Sequence, residues 1–259
     1  MTYNTNSKTL KLQTAMVYGP VGSRRIGLSL GVNISPVSEK FCSFNCVYCH
    51  YGWTDTLSLD ATKHQGKLPG VDDLTRQLEE YKVDRYLLDH ITFSGNGEAT
   101  YHPDFGRAVD IVIEFRDKYV PQSKTAILSN SSMVMKQEVR EALKKLDRCI
   151  MKLDAGDEVT FRKVNRPPSQ LRFEDIIAGL RELKKFETQS IFLDGSVSNS
   201  SDEAVDSWIK VMLELKPYSM QIYTLDRAPA DDRLQPVSRE RMRDIFLKTK
   251  KAGLPVNLY

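Results

Sequence analysis

Three of the chain's four cysteines fall within one nine-residue stretch, CSFNCVYCH, from Cys42 to His50. Thiols crowded in this way bind metal or do redox chemistry more often than they form structural disulfides, and a distant Cys149 completes no disulfide framework. The last five residues match CxxCH, the pattern of covalent haem attachment, which would leave Cys42 without a role. A structural zinc site wants four ligands, and His50, directly after Cys49, tends to point away from the same metal. Three thiolates at CxxxCxxC can instead hold three irons of a [4Fe-4S] cluster and leave the fourth open to substrate or cofactor, whereas clusters used only for electron transfer usually have four cysteines.

A second stretch, ITFSGNGEAT from Ile91 to Thr100, sets Gly95, Asn96, Gly97 and Glu98 just after an apolar run. A dinucleotide loop would need glycine where Thr100 stands, and Glu98 would put a carboxylate where a pyrophosphate requires donors. Exposed backbone acceptors beside a carboxylate suit a cationic group.

These residues must be positioned by regular elements. Apolar runs of strand length lie at about 26–34, 90–94, 124–128, 148–153, 189–193 and 218–223, and helix-like segments lie near 72–85, 104–118, 136–146, 173–186, 202–215 and 238–251. Such alternation predicts a parallel sheet with right-handed crossovers, either doubly wound or curled into a barrel. In both architectures chemistry gathers at the C-terminal ends of the strands. The cysteine triplet, the Gly95–Glu98 turn, Ser129 with Asn130, Asp154 and Arg227 all fall at such ends. Alternation in RCIMKLD puts Cys149, Met151 and Leu153 on the helix-covered face and turns Lys152 and Asp154 inward. Cys149 therefore reads as a small buried hydrophobe, and Asp154 either contacts a cofactor or neutralises Lys152. Arg24 and Arg25 precede the first strand, which places them at the bottom of a barrel or inside its lower mouth.

With 41% hydrophobic and 27% charged residues the chain is a globular protein rather than a disordered one. A formal net charge of +3 over 259 residues does not indicate a globally basic nucleic-acid binder, and Lys248, Lys250 and Lys251 read as a solvated helix face. The N-terminus lacks the apolar core of a secretory signal and no apolar run is long enough for a membrane span, so a single cytoplasmic domain, 1–259, with a short extension over about 1–15, is expected.

The cysteine triplet resembles the radical S-adenosylmethionine (SAM) superfamily, whose CxxxCxΦC motif has an aromatic before the last cysteine, here Tyr48. GNGE resembles the GGE motif of the same superfamily. The resemblance implies a partial (β/α)6 TIM-like barrel of parallel strands. It also implies one [4Fe-4S] cluster on Cys42, Cys46 and Cys49, SAM with its methionine moiety on Gly95, Asn96, Gly97 and Glu98, and adenine beside Tyr48. Ser129, Asn130 and Asp154 are then candidates for the rest of SAM. Reductive cleavage of SAM would follow, with an electron from a flavodoxin or ferredoxin, and a 5′-deoxyadenosyl radical would abstract hydrogen from an unidentified substrate.

Longer blocks, Gly19 to Pro36, Phe93 to Phe105, Lys152 to Pro168 and Gln221 to Pro229, resemble the group that includes wyosine-type tRNA synthases. Those enzymes carry three further cysteines upstream, and this chain has none before Cys42. Candidate substrate residues are Lys152, Arg166, Tyr223 and Arg227, the last opening a long loop, Arg227 to Ser238. Two guanidiniums near one mouth suggest a substrate with a carboxylate or phosphate, including tRNA among the possibilities.

Overall fold

The computed structural model describes residues 9–81 and 88–259. In chain order its strands are β1 (Val17–Ser23), β2 (Gly27–Val32), β3 (Phe41–Cys42), β4 (Thr56–Leu57), β5 (His90–Phe93), β6 (Lys124–Ser129), β7 (Arg148–Lys152), β8 (Glu187–Gly195), β9 (Ser219–Thr224), β10 (Leu234–Pro236) and β11 (Val256–Leu258). The helices are α1 (Asp72–Glu80), α2 (Phe105–Tyr119), α3 (Gln137–Leu143), α4 (Glu158–Asn165), α5 (Phe173–Leu183), α6 (Asp202–Leu215) and α7 (Arg239–Lys251).

Strands β2, β5, β6, β7, β8 and β9 pair in that order, all parallel, and are the six strands expected from the apolar runs. The sheet is a partial barrel: β1 lies antiparallel on the β2 edge and β11 adds a parallel strand beyond β9. Both additions lack strand-length apolar alternation. β1 is broken by a register shift between Tyr18 and Val21, and β11 is three residues long. The predicted helix 72–85 is helical to Glu80; residues 82–85, like 1–8 of the predicted extension, lie outside the described residues.

Strand alternation sorts the two faces. Outward, Phe93 packs its ring on Phe105 of α2, and Cys149 Sγ donates to the Leu143 carbonyl of α3, the face expected for it. Inward, the barrel is polar. Arg148 makes a two-pronged ion pair with Glu187 at 2.6 and 2.7 Å, and Tyr218 donates to the same carboxylate. Above it Gln221, Gln189 and Tyr223 continue a hydrogen-bonded column toward Lys152. Buried polar groups persist where each has a partner, and this column supplies one for most of its members.

Arg24 and Arg25 are not at the bottom. Curling a sheet toward a barrel tilts its strands, so the start of the first approaches the end of the last. The β1–β2 turn therefore meets the C-terminal end of β9: Arg24 Nη2 lies 3.1 Å from Asp226 Oδ2, and the Arg25 guanidinium carbon lies 4.5 Å from the Tyr223 ring centroid. Among the described residues no helix is long and apolar enough to cross a membrane.

Candidate functional site

The cysteine loop is held by a helix end. Asp157 caps α4 by accepting from Thr160 N, and the helix stops at Asn165 because Arg166 turns left-handed (φ 45°) and two prolines follow. The last carbonyls of a helix lack internal partners. Here Val47 N donates to Val164 O at 3.0 Å and Asn45 N to Asn165 O at 3.1 Å, so residues between Cys42 and Cys49 complete the helix terminus. The other side of the loop is tied to the GNGE turn, where Phe41 N donates to Asn96 O and Phe41 bridges Gly97. A Cβ at Gly97 would lie 1.6 Å from the Phe41 carbonyl oxygen, so glycine there serves the approach of two motif backbones.

Cys42 and Cys46 are buried and Cys49 is partly exposed. Burial pushes the Cys42 thiol up to about 12, against the nearby Lys40 charge, and the Cys46 thiol up to about 11. Buried thiols of this kind become thiolates when a metal cation takes the place of the proton. Amide donors stand ready for the sulfurs: Asn130 Nδ2 is 3.6 Å from Cys42 Sγ and Asn165 Nδ2 is 3.5 Å from Cys46 Sγ. Among the described residues no three His, Cys, Asp or Glu side chains converge as ligands of a single metal ion would. Three thiolates, two of them with amide donors at the sulfur, suit three irons of a cluster, whereas mononuclear zinc wants a fourth ligand.

Glu98 is the hub of the second motif. Its Oε1 accepts from Thr100 N, Thr100 Oγ1 and Ser129 Oγ at 2.6 to 3.0 Å, and its Oε2 accepts from Asn130 N at 2.6 Å. Burial raises its pKa while these four donors oppose the rise. One lone-pair site of Oε2 is left for a further donor. Asn96 is fully engaged by protein: its amide donates to Gln13 O and Pro36 O and accepts from Gln13 N. Gly95 adopts φ 140° over Asn33, whose Oδ1 accepts from Asn96 N.

Inside the barrel, Lys152 Nζ lies 2.9 Å from Tyr223 Oη and 3.2 Å from Asp154 Oδ1. Burial disfavours its ammonium, but Asp154 and Tyr223 outweigh that and hold its pKa above the ordinary value. Asp154 also accepts from Ile191 N, Tyr48 Oη and Asn165 Nδ2, so it neutralises Lys152 and braces the cysteine loop. Burial, reinforced by Asp154, keeps Tyr48 protonated well above the usual phenol range.

The two arginines expected to share the mouth both lie beside the segment that ends the cysteine loop. The guanidinium of Arg166 stacks 4.9 Å from the Trp53 ring, and exposed Arg227 lies within electrostatic reach of His50 and Tyr51. The loop after β9 is a packed strap: Asp231 N donates to Val47 O, Arg233 clamps the Asp231 carboxylate, and β10 pairs with the end of β8. Asn165, Asn33 and Arg25 were not singled out from sequence as site residues, although each falls inside one of the blocks quoted for the resemblance.

A family model for the radical SAM superfamily matches residues 39–197, which span the cysteine loop, the GNGE turn and Asp154. This chain belongs to the radical SAM superfamily. Among curated relatives, UPF0026 proteins of Methanocaldococcus jannaschii and of a Synechocystis strain are each 31% identical, over 89% and 80% of this chain and 70% and 74% of their own lengths. A Brachyspira hyodysenteriae protein named GTPase Obg is 30% identical over 92% of this chain, which spans only 34% of that relative. The present sequence contains no GxxxxGK[ST] phosphate loop. Two solved structures share the fold. A radical SAM methyltransferase from Sphaerobacter thermophilus has a TM-score of 0.62 at 16% identity, over 89% of this chain and 66% of that one. Streptococcus suis SuiB bound to S-adenosylmethionine has a TM-score of 0.60 at 14% identity, over 88% and 49%. Both agree with the partial parallel barrel described above.

Proposed function

We propose that this protein is a single-cluster radical SAM enzyme in which Cys42, Cys46 and Cys49 hold a [4Fe-4S] cluster and SAM takes the open iron. The observation that carries this reading is the direct backbone joint between the cysteine loop and the GNGE turn, Phe41 to Asn96 and Gly97. It sets the would-be iron ligands beside the would-be methionine site. When bound, the cluster and SAM supply a 5′-deoxyadenosyl radical for hydrogen abstraction.

The chain's own residues bind, orient and shield. Asn130 and Asn165 direct N–H groups at two of the cysteine sulfurs, and Lys40, buried on Gly52 O, places a positive charge near Cys42. Glu98 presents its remaining oxygen capacity to the methionine ammonium, held in place by Ser129 and Asn130. Tyr48, proposed to lie beside adenine, keeps its hydroxyl on Asp154. The three further upstream cysteines of wyosine-type synthases have no counterpart in this sequence, and an external flavodoxin or ferredoxin is the proposed electron donor.

Anaerobic reconstitution tests the reading. The expected result is roughly four irons and four sulfides per chain, and 5′-deoxyadenosine with methionine after reduction in the presence of SAM. Zinc in the purified protein, together with failure to take up a cluster, overturns it.

A further inference from the structure

A cationic corner at the open edge of the barrel is not absorbed by cluster or SAM binding. Tyr223 joins two cations from separate parts of the sheet, one in the β1–β2 turn and one on β7. Its hydroxyl lies 2.9 Å from Lys152 Nζ of β7, and the Arg25 guanidinium carbon is 4.5 Å from its ring centroid. The nearby carboxylates are already committed. Asp226 pairs with Arg24, and Asp154 is divided among Lys152, Ile191 N, Tyr48 and Asn165. Among the described residues the guanidinium of Arg25, a partly exposed residue, lies beside the Tyr223 ring and makes no ion pair and no hydrogen bond. Guanidinium donors that no protein acceptor engages are free to take one from a ligand, and a planar carboxylate or a phosphate supplies it in bidentate fashion.

We infer that Arg25, Lys152 and Tyr223 form the substrate subsite and that it takes a small molecule bearing a carboxylate or phosphate. This rests on the radical SAM reading, because the same corner touches the cysteine loop: Lys152 Nζ is 4.8 Å from the Tyr48 ring centroid. A small molecule rather than a polynucleotide fits because Tyr223 is 8% exposed and the Lys152 side chain 15% exposed, recessed beyond the reach of a backbone phosphate on a bulky duplex. The hydrogen-bonded column below, Gln189 to Gln221 to Glu187, closes the floor and holds the Tyr223 hydroxyl in orientation.

The test uses the reconstituted holoprotein and two probes, malonate and inorganic phosphate, titrated by calorimetry at constant ionic strength. Wild type should bind at least one with a dissociation constant on the order of 1 mM. Arg25→Gln should weaken that binding roughly tenfold or more, Arg25→Lys should restore part of it, and Arg24→Gln, one residue away and exposed, should change it less than about twofold. Tighter malonate identifies a carboxylate substrate, and tighter phosphate a phosphorylated one. Absence of saturable binding, or equal binding by Arg25→Gln and wild type, overturns the inference. Displacement of both probes only by RNA, with steep weakening in salt, overturns the small-molecule assignment. Iron content and SAM cleavage without substrate, measured on the same preparations, keep the two readings apart. Loss of those with anion binding intact defeats the radical SAM reading, whereas their presence with no Arg25 effect defeats the anion subsite alone.

Discussion

Asn165 places its amide nitrogen 2.9 Å from Asp154 Oδ2 and 3.5 Å from Cys46 Sγ, so the last residue of α4 joins the barrel interior to the cysteine loop. Two N–H groups can serve these two acceptors at once, and Tyr48 adds its own donation to Asp154. Asn165→Ala should therefore destabilise the fold by about 1–3 kcal/mol, the usual consequence of leaving a buried acceptor short of a donor. It should also move the midpoint potential of a reconstituted cluster to a more negative value, since a donor on sulfur favours the reduced, more negative state. Urea unfolding and a potentiometric titration read the two effects separately, and an unchanged potential would remove Asn165 from the cluster's surroundings.

Glu98 carries four donors in the folded protein, so its replacement acts on structure and on ligand binding together. Glu98→Gln keeps the shape, removes the charge and turns an amide N–H toward one set of donors. SAM affinity should drop roughly ten- to hundredfold, the equivalent of a charged hydrogen bond of about 1.5–3 kcal/mol, while iron content is retained. Equilibrium dialysis with SAM on iron-matched samples measures it, and wild-type affinity in the variant would sink the assignment.

The four cysteines should divide three to one. Cys42→Ala, Cys46→Ala and Cys49→Ala should each fail to retain a full cluster after reconstitution. Cys149→Ala should retain it, because Cys149 Sγ faces α3 and donates to Leu143 O. Iron and sulfide analysis decides, and cluster loss in Cys149→Ala would contradict the face assigned to β7.

Gly97 and Gly106 make opposite predictions for one substitution. A methyl group at Gly97 would collide with the Phe41 carbonyl, so Gly97→Ala should separate the two motifs, lower the unfolding midpoint and abolish cluster uptake. At Gly106, inside α2, the nearest atom to an added Cβ is that of Ala142 at 4.0 Å, an ordinary contact. Gly106→Ala should be neutral or stabilising by up to about 1 kcal/mol. Thermal unfolding of both variants against wild type is the check.

The strap after β9 should be sensitive to acid. The Arg233 guanidinium, with Ser196 beside it, holds the Asp231 carboxyl down at about 2 from an ordinary value of 3.8. A depressed carboxylate pKa contributes stability above its unfolded value and loses it as pH falls toward the folded one. The difference in unfolding free energy between wild type and Asp231→Asn should thus be present at neutral pH, at about 1–2 kcal/mol after allowance for the exposed Arg233, and should fade between about pH 4 and pH 2. A difference that grows on acidification would show the pair to be unfavourable.

Local pattern in the sequence sufficed for the six barrel strands and most of their helices, because period-two and period-3.6 alternation survive wherever a strand or helix buries one face. It also sufficed for the cysteine triplet and the GNGE turn, whose residues are contiguous, and for the inward direction of Lys152 and Asp154, since alternation is set within one strand. Contacts between distant segments were decided only in three dimensions. Arg25 met Tyr223 because curling tilted strands into a partial barrel brings the start of β2 near the end of β9, a relation no local pattern encodes. Arg166 meets Trp53 at a left-handed turn before two prolines, a pairing across the chain that no local pattern encodes. Asn165, 119 residues from Cys46 in sequence, became its neighbour only because the cysteine loop supplies the donors that the end of α4 lacks.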